Sequence, residues 1–194
     1  SLIAMNIPRI PKYADQRKEG IQMMLNAEQN SVFLRPAAAH ALTYTWIEEG
    51  EKKNAIHTAE TLRKMYPNNI INLQVLGRAY MYNRQYKDAE KAFLQVMEID
   101  TDNQRVHYYL ARLYMRQKRY DEAEKKLNQY LAFDLMKNHE GYAHYFLGRL
   151  LQRQQKWDQA ISSFEQAHKV AGIKNAKRRI EYLQKKKNQQ KKND

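Results

Sequence analysis

Apolar and small residues in this chain recur in a helical rhythm, and the rhythm itself repeats. Ala89, Phe93 and Val96 stand at i, i+4, i+7; so do Ala123, Leu127 and Tyr130, and Ala160, Phe164 and Ala167. That spacing puts each trio on one face of a helix. Ala55, Ala89 and Ala123 are 34 residues apart, and Ala160 follows after 37. Tyr80 and Tyr114 keep the 34-residue step, as do Tyr86 and Tyr120. Twelve residues ahead of each alanine stands Thr43, Gly77, Ala111 or Gly148. Paired small residues let two antiparallel helices approach closely. The pattern predicts an all-α chain of four helix pairs at 36–69, 70–103, 104–140 and 141–174. Three extra residues near Met136 to Glu140 are expected to lengthen a helix end or a loop.

The two ends differ from this interior. Gly20, Met24 and Ala27 carry the second-helix pattern of a degenerate half repeat. Pro8 and Pro11 spoil the helix before it, since an interior proline costs about 3 kcal/mol. Residues 1–12 are therefore expected to be irregular, or to belong to a preceding domain. The chain opens on Ser1 and reads as a piece of a longer protein. At the other end Ala176, Ile180 and Leu183 form one apolar stripe on a charged helix, as a terminal cap requires. Beyond Gln184 the lysine-rich run has nothing to bury and is expected to be disordered.

The repeating residues resemble the tetratricopeptide repeat (TPR), whose pattern is W-x2-L-G-x2-Y, then A-x3-F, then P. Leu76, Gly77 and Tyr80 with Ala89 and Phe93 match it, as do Leu147, Gly148 and Leu151 with Ala160 and Phe164. Leu110, Ala111 and Tyr114 fit with Ala123 and Leu127; Leu42, Thr43 and Trp46 fit with Ala55 and the terminal Pro67. Thr43 in place of a small residue and Thr101 in place of a proline are departures. The resemblance implies an α-solenoid, a right-handed superhelix of antiparallel helix pairs with a C-terminal capping helix. It also implies a non-enzymatic scaffold for protein–protein interaction, with the first helix of each repeat lining a concave groove.

Charge changes the picture in that groove. The first helices, taken as 70–83, 104–117 and 141–154, contain no Asp or Glu but hold Arg78, Arg105, Arg112, Arg116, Arg149 and Arg153. Arg78, Arg112 and Arg149 share one repeat position and are expected to form a ladder, with Arg116 and Arg153 one turn further on. Tyr82, Tyr108, Tyr142 and Tyr145 fall on or beside that surface, with Gln74 and His40 nearby. A guanidinium is a planar fork suited to carboxylate or phosphate, and tyrosine gives apolar area with a polar tip. The expected partner is an acidic peptide, helix or chain terminus. The opposing reading is a solvated face of good helix formers, with the tyrosines packed between repeats. A TPR subclass grips a chaperone's C-terminal carboxylate with a Lys/Asn clamp. The matching register here offers His40, Tyr44 and Val75, so that clamp is missing.

Of the net charge of +13, the stretch 174–194 supplies +7, from nine basic residues against Glu181 and Asp194. Nucleic acid or an anionic membrane is a permitted but less favoured partner for such a tail, and a self-assembling repeat module is a third reading. The chain has no cysteine, which removes disulfides and thiol chemistry and fits a cytoplasm or a bacterial periplasm. No apolar run approaches the roughly 20 residues a membrane span needs. His139, Glu140 and His144 have one residue too many for a zinc-protease helix, and no phosphate-binding or nucleophile-elbow motif occurs. Neither metal, cofactor nor catalytic site is expected.

Overall fold

The computed structural model describes residues 16–190. Among these residues every regular element is an α-helix, and the helices group into two compact units that divide after residue 83. The expectation for residues 1–12, with Pro8 and Pro11, lies outside the described residues, as does that for 191–194.

The first unit holds α1 (Arg17–Asn30), α2 (Arg35–Glu49), α3 (Lys52–Met65) and α4 (Ile70–Tyr82). Helix α2 is central, packing on α1, α3 and α4. Its start is set by Pro36, whose missing N–H is no loss in a first turn. Its end is set by Gly50 at φ 78°, a left-handed conformation that favours glycine. Leu42, Leu62, Leu73, Leu76 and Met81 fill the core around Ala39, Ala55 and Ala59. Thr43 sits fully buried at the small-residue position because its hydroxyl donates to the Ala39 carbonyl at 2.8 Å, which satisfies the polar atom inside its own helix.

The second unit holds α5 (Tyr86–Ile99), α6 (Gln104–Gln117), α7 (Tyr120–Leu131), α8 (Lys137–Arg153), α9 (Trp157–Ala171) and α10 (Lys174–Gln190). Each helix packs on the next. Phe93, Leu110, Leu113, Leu127, Leu150, Phe164 and Leu183 form the core. Asn103 caps α6, its side-chain oxygen accepting from the Val106 N–H at 3.2 Å. Close approach of α8 and α9 depends on two glycines. A Cβ on Gly148 would lie 2.8 Å from the Phe164 ring, and one on Gly141 would lie 2.3 Å from the Ala171 Cβ.

The extra residues before 141 lengthen a helix end, one of the two outcomes expected for them: they form the first turn of α8, and Gly141 is an interior packing residue. Two details differ from the sequence reading. The same extension puts one acid, Glu140, on a helix whose later residues have none. Helix α10 continues past Gln184 to Gln190. There the Lys186 ammonium stands 4.7 Å from the centre of the Trp157 ring, while Lys187 pairs with Asp158. The lysines do have partners, in the first turn of α9.

Candidate functional site

The predicted site residues separate between the two units. In the first, Gln74 is buried, and the His40 imidazole shares a hydrogen bond with the side-chain oxygen of buried Asn72. Arg78 lies over the Tyr44 ring at 4.4 Å, and Tyr82 is half-buried near the end of α4. In this unit the polar groups expected at a groove are largely engaged in packing α4 against its neighbours.

The second unit collects the rest on α6 and α8. Residues 105, 108, 112 and 116 follow one face of α6, and 142, 146, 149 and 153 follow one face of α8. The ring of Phe146 anchors the arrangement. Arg112 lies 5.5 Å from its centre and 5.5 Å from that of Tyr108, and Arg149 lies 5.9 Å from Phe146. Tyr108 packs edge-on against Phe146 at 5.7 Å and, in a tilted arrangement, against Tyr130 at 5.3 Å. Such ring-to-guanidinium contacts hold the planar groups in place. Burial pushes the Tyr108 hydroxyl above the usual tyrosine range, with Arg112 pulling against that rise. The hydroxyl therefore stays protonated at neutral pH.

Two concavities open on either side of this aromatic ridge. One, of about 440 Å³, is lined by Arg112, Arg116, Lys118, Arg149 and Arg153, with Met115, Tyr120 and Phe146. The other, of about 340 Å³, is lined by Tyr108, Tyr109, Tyr130 and Tyr142, with Arg105 and His139 at its edge. Five cations surround the first, and among the described residues no carboxylate lines it. Neither Arg112, Arg149 nor Arg153 is in an ion pair among the described residues.

Arg119, one residue beyond Lys118, shows the opposite state. Its guanidinium donates to both Glu90 oxygens, at 2.8 and 3.0 Å, and also pairs with Glu122. It lies 4.1 Å over the Tyr114 ring, whose hydroxyl is pushed up to about 12 by burial and by Glu90. One repeat on, Lys156 and Glu124 reproduce the pair at 3.1 Å. These acids join the faces of α5 and α7 to the turns that follow α6 and α8, and none of them lines the arginine cavity.

Tyr145 lines neither concavity. It packs on buried Phe164 at 5.5 Å and on Phe146 at 6.3 Å. Sequence reasoning missed Phe146, Tyr109, Tyr130 and Lys118 as lining residues. The spacing of Tyr142, Phe146, Arg149 and Arg153 along α8 was a readable signal for Phe146; Tyr130 comes from α7, and no local spacing joins it to α6. His144 faces Glu140 at 3.8 Å, and among the described residues no His, Asp and Glu cluster has a metal-holding arrangement. No described helix is long and apolar enough to cross a membrane.

Solved structures similar to this chain share its fold at low identity. The crystal structure of MamA is 22% identical, with a TM-score of 0.64, covering 76% of this chain and 85% of that one. TTC0263, a thermophilic TPR protein of Thermus thermophilus, is 19% identical with a TM-score of 0.71, covering 84% and 88%. A Pseudomonas aeruginosa structure titled for the functional characterization of pilF is 19% identical with a TM-score of 0.71, covering 79% and 69%. No curated protein sequence matches the chain significantly. Two tetratricopeptide-repeat family models match, over residues 80–139 and 143–172. With these matches, and with an all-α fold shared with TPR structures, the chain is a tetratricopeptide-repeat protein.

Proposed function

We propose that the chain, read as four repeats at 36–69, 70–103, 104–140 and 141–174, binds an acidic segment of a partner protein on the α6–α8 face. The observation that carries this reading is the convergence of Arg112, Arg116, Arg149, Arg153 and Lys118 on one concavity without a lining carboxylate. Like charges gathered this way repel one another. Water screens part of that repulsion at the exposed Arg116, Lys118 and Arg153, and less of it at the half-buried Arg112 and Arg149. An incoming anion relieves that repulsion, and guanidinium forks give it paired hydrogen bonds. The tyrosine-lined cleft on the other side of Tyr108 supplies apolar area with hydroxyl tips, suited to a bulky side chain of the same segment.

The test is the double variant Arg112→Glu/Arg149→Glu against a fluorescent peptide bearing an aromatic residue and a run of glutamates. The expected result is at least a tenfold loss of affinity with unchanged helicity. Undiminished binding by the variant would remove the α6–α8 face from the site.

A further inference from the structure

We infer that the arginine cavity is a receptor for a phosphorylated side chain of the partner; this rests on the protein-binding reading above and narrows it. Charge and geometry both lead there. Five cationic groups line about 440 Å³. A carboxylate brings one negative charge and two acceptor oxygens, too few to answer most of that lining. A phosphoserine or phosphothreonine brings about −1.5 to −2 at pH 7 and three strong acceptor oxygens. Its tetrahedral array can be met from two sides at once, by guanidiniums on facing helices.

The arginines have that placement. Arg112 and Arg116 are one turn apart on α6, and Arg149 and Arg153 are one turn apart on α8. They form two forks on each wall. Phe146 stands between the walls within 6 Å of both Arg112 and Arg149, so two guanidiniums are positioned before any ligand arrives. Preorganised forks lose less rotamer entropy on binding than free ones. The four wall cations of this cavity are arginines, with Lys118 the lone lysine on its rim. Arginine-rich sites of this kind are suited to phosphoryl groups, because the fork matches two phosphate oxygens where an ammonium supplies only a point charge.

The site also differs from a merely basic surface. Exposed lysines of α10, such as Lys174, Lys177 and Lys185, are spread along a helix. A flat distribution of that type attracts any polyanion, whereas forks gathered around one concavity discriminate by shape.

The experiment uses the full chain and three peptides of one sequence, bearing serine, glutamate or phosphoserine at a central position, with binding read by fluorescence anisotropy. A single-stranded oligonucleotide of equal charge is the fourth probe. The expected order is phosphoserine at least tenfold tighter than glutamate, with serine weaker still. Arg149→Lys, which keeps the charge but loses the fork, should reduce phosphoserine binding fivefold or more while glutamate binding changes less than twofold. Equal affinity for phosphoserine and glutamate, with both lost in Arg112→Glu/Arg149→Glu, would overturn the phosphoryl inference and leave the acidic-segment reading standing. Binding of either peptide unaffected by that double variant would overturn both. Oligonucleotide binding as tight as phosphoserine binding, and equally sensitive to Arg149→Lys, would assign the cavity to nucleic-acid phosphate and overturn the inference.

Discussion

Replacing Gly141 by alanine tests whether close helix approach holds the second unit together. An added Cβ would lie 2.3 Å from the Ala171 Cβ, 3.5 Å from its Cα and 3.4 Å from the Ala167 carbonyl oxygen. Carbon atoms pack best at about 3.5–4.0 Å, so α8 and α9 must separate by more than about 1 Å. No flexible side chain can absorb the shift, because the obstruction is backbone and the first carbon beyond it. Overpacking of this kind costs about 1–3 kcal/mol, and the rigid contact places it near the top of that range. Alanine recovers about 1 kcal/mol of helix propensity. The net loss is then about 2 kcal/mol, a fall in Tm of about 4–8 °C for a chain of this size. Thermal melts and urea titrations followed by circular dichroism measure it. Adding Ala171→Gly removes the obstructing carbon and should restore most of the loss, a positive coupling in a double-mutant cycle. Gly20 is the control: a Cβ there meets nothing within 4 Å, so Gly20→Ala should stabilise by about 0.5 kcal/mol. If Gly141→Ala melts at or above the parent temperature, or Ala171→Gly fails to rescue it, the close-approach argument is wrong.

Two other predictions concern strain and protonation. Gly50, Arg84, Lys118 and Gln155 occupy one repeat position and all have left-handed backbone, Gln155 at φ 60°. A side chain there costs about 1–2 kcal/mol against the 0.5–1 kcal/mol that glycine costs in chain entropy. Gln155→Gly should thus raise stability by about 0.5–1 kcal/mol in urea; a lowered midpoint would refute that. His107 is held below its ordinary value of 6.5, first by burial and then by Lys126. Between 6.5 and that lower value the unfolded chain binds more protons than the folded one, so stability falls as pH drops through this window. The Tm of the parent should decrease from pH 7.5 to 5, and that of His107→Gln should decrease less; parallel slopes would refute the assignment.

Much of the fold was legible because helix pairing is local. The 34-residue return of Ala55, Ala89 and Ala123 marks where one helix meets the next, and each of the three is at most 1% exposed. The three-residue insertion was visible too, but its fate was not. Whether it loops out or extends α8 depends on Gly141 fitting against Ala171, a contact across helices 30 residues apart. Lysines 186 and 187 read as a solvated run because Trp157 and Asp158 lie nearly 30 residues away, and only the docking of α10 on α9 brings them together.

The candidate site divides the same way. Periodicity by itself determined that Arg112, Arg116, Arg149 and Arg153 share helix faces with aromatic rings, since a helix turn imposes that at any protein's surface. Periodicity has no means of telling Arg112 from Arg119. One lies over two rings with no acid paired to it among the described residues; the other, seven residues on, is gripped by Glu90 and Glu122. Coulomb interactions at contact distance depend on which helix delivers a carboxylate within a few ångströms, and only the tertiary packing decides that.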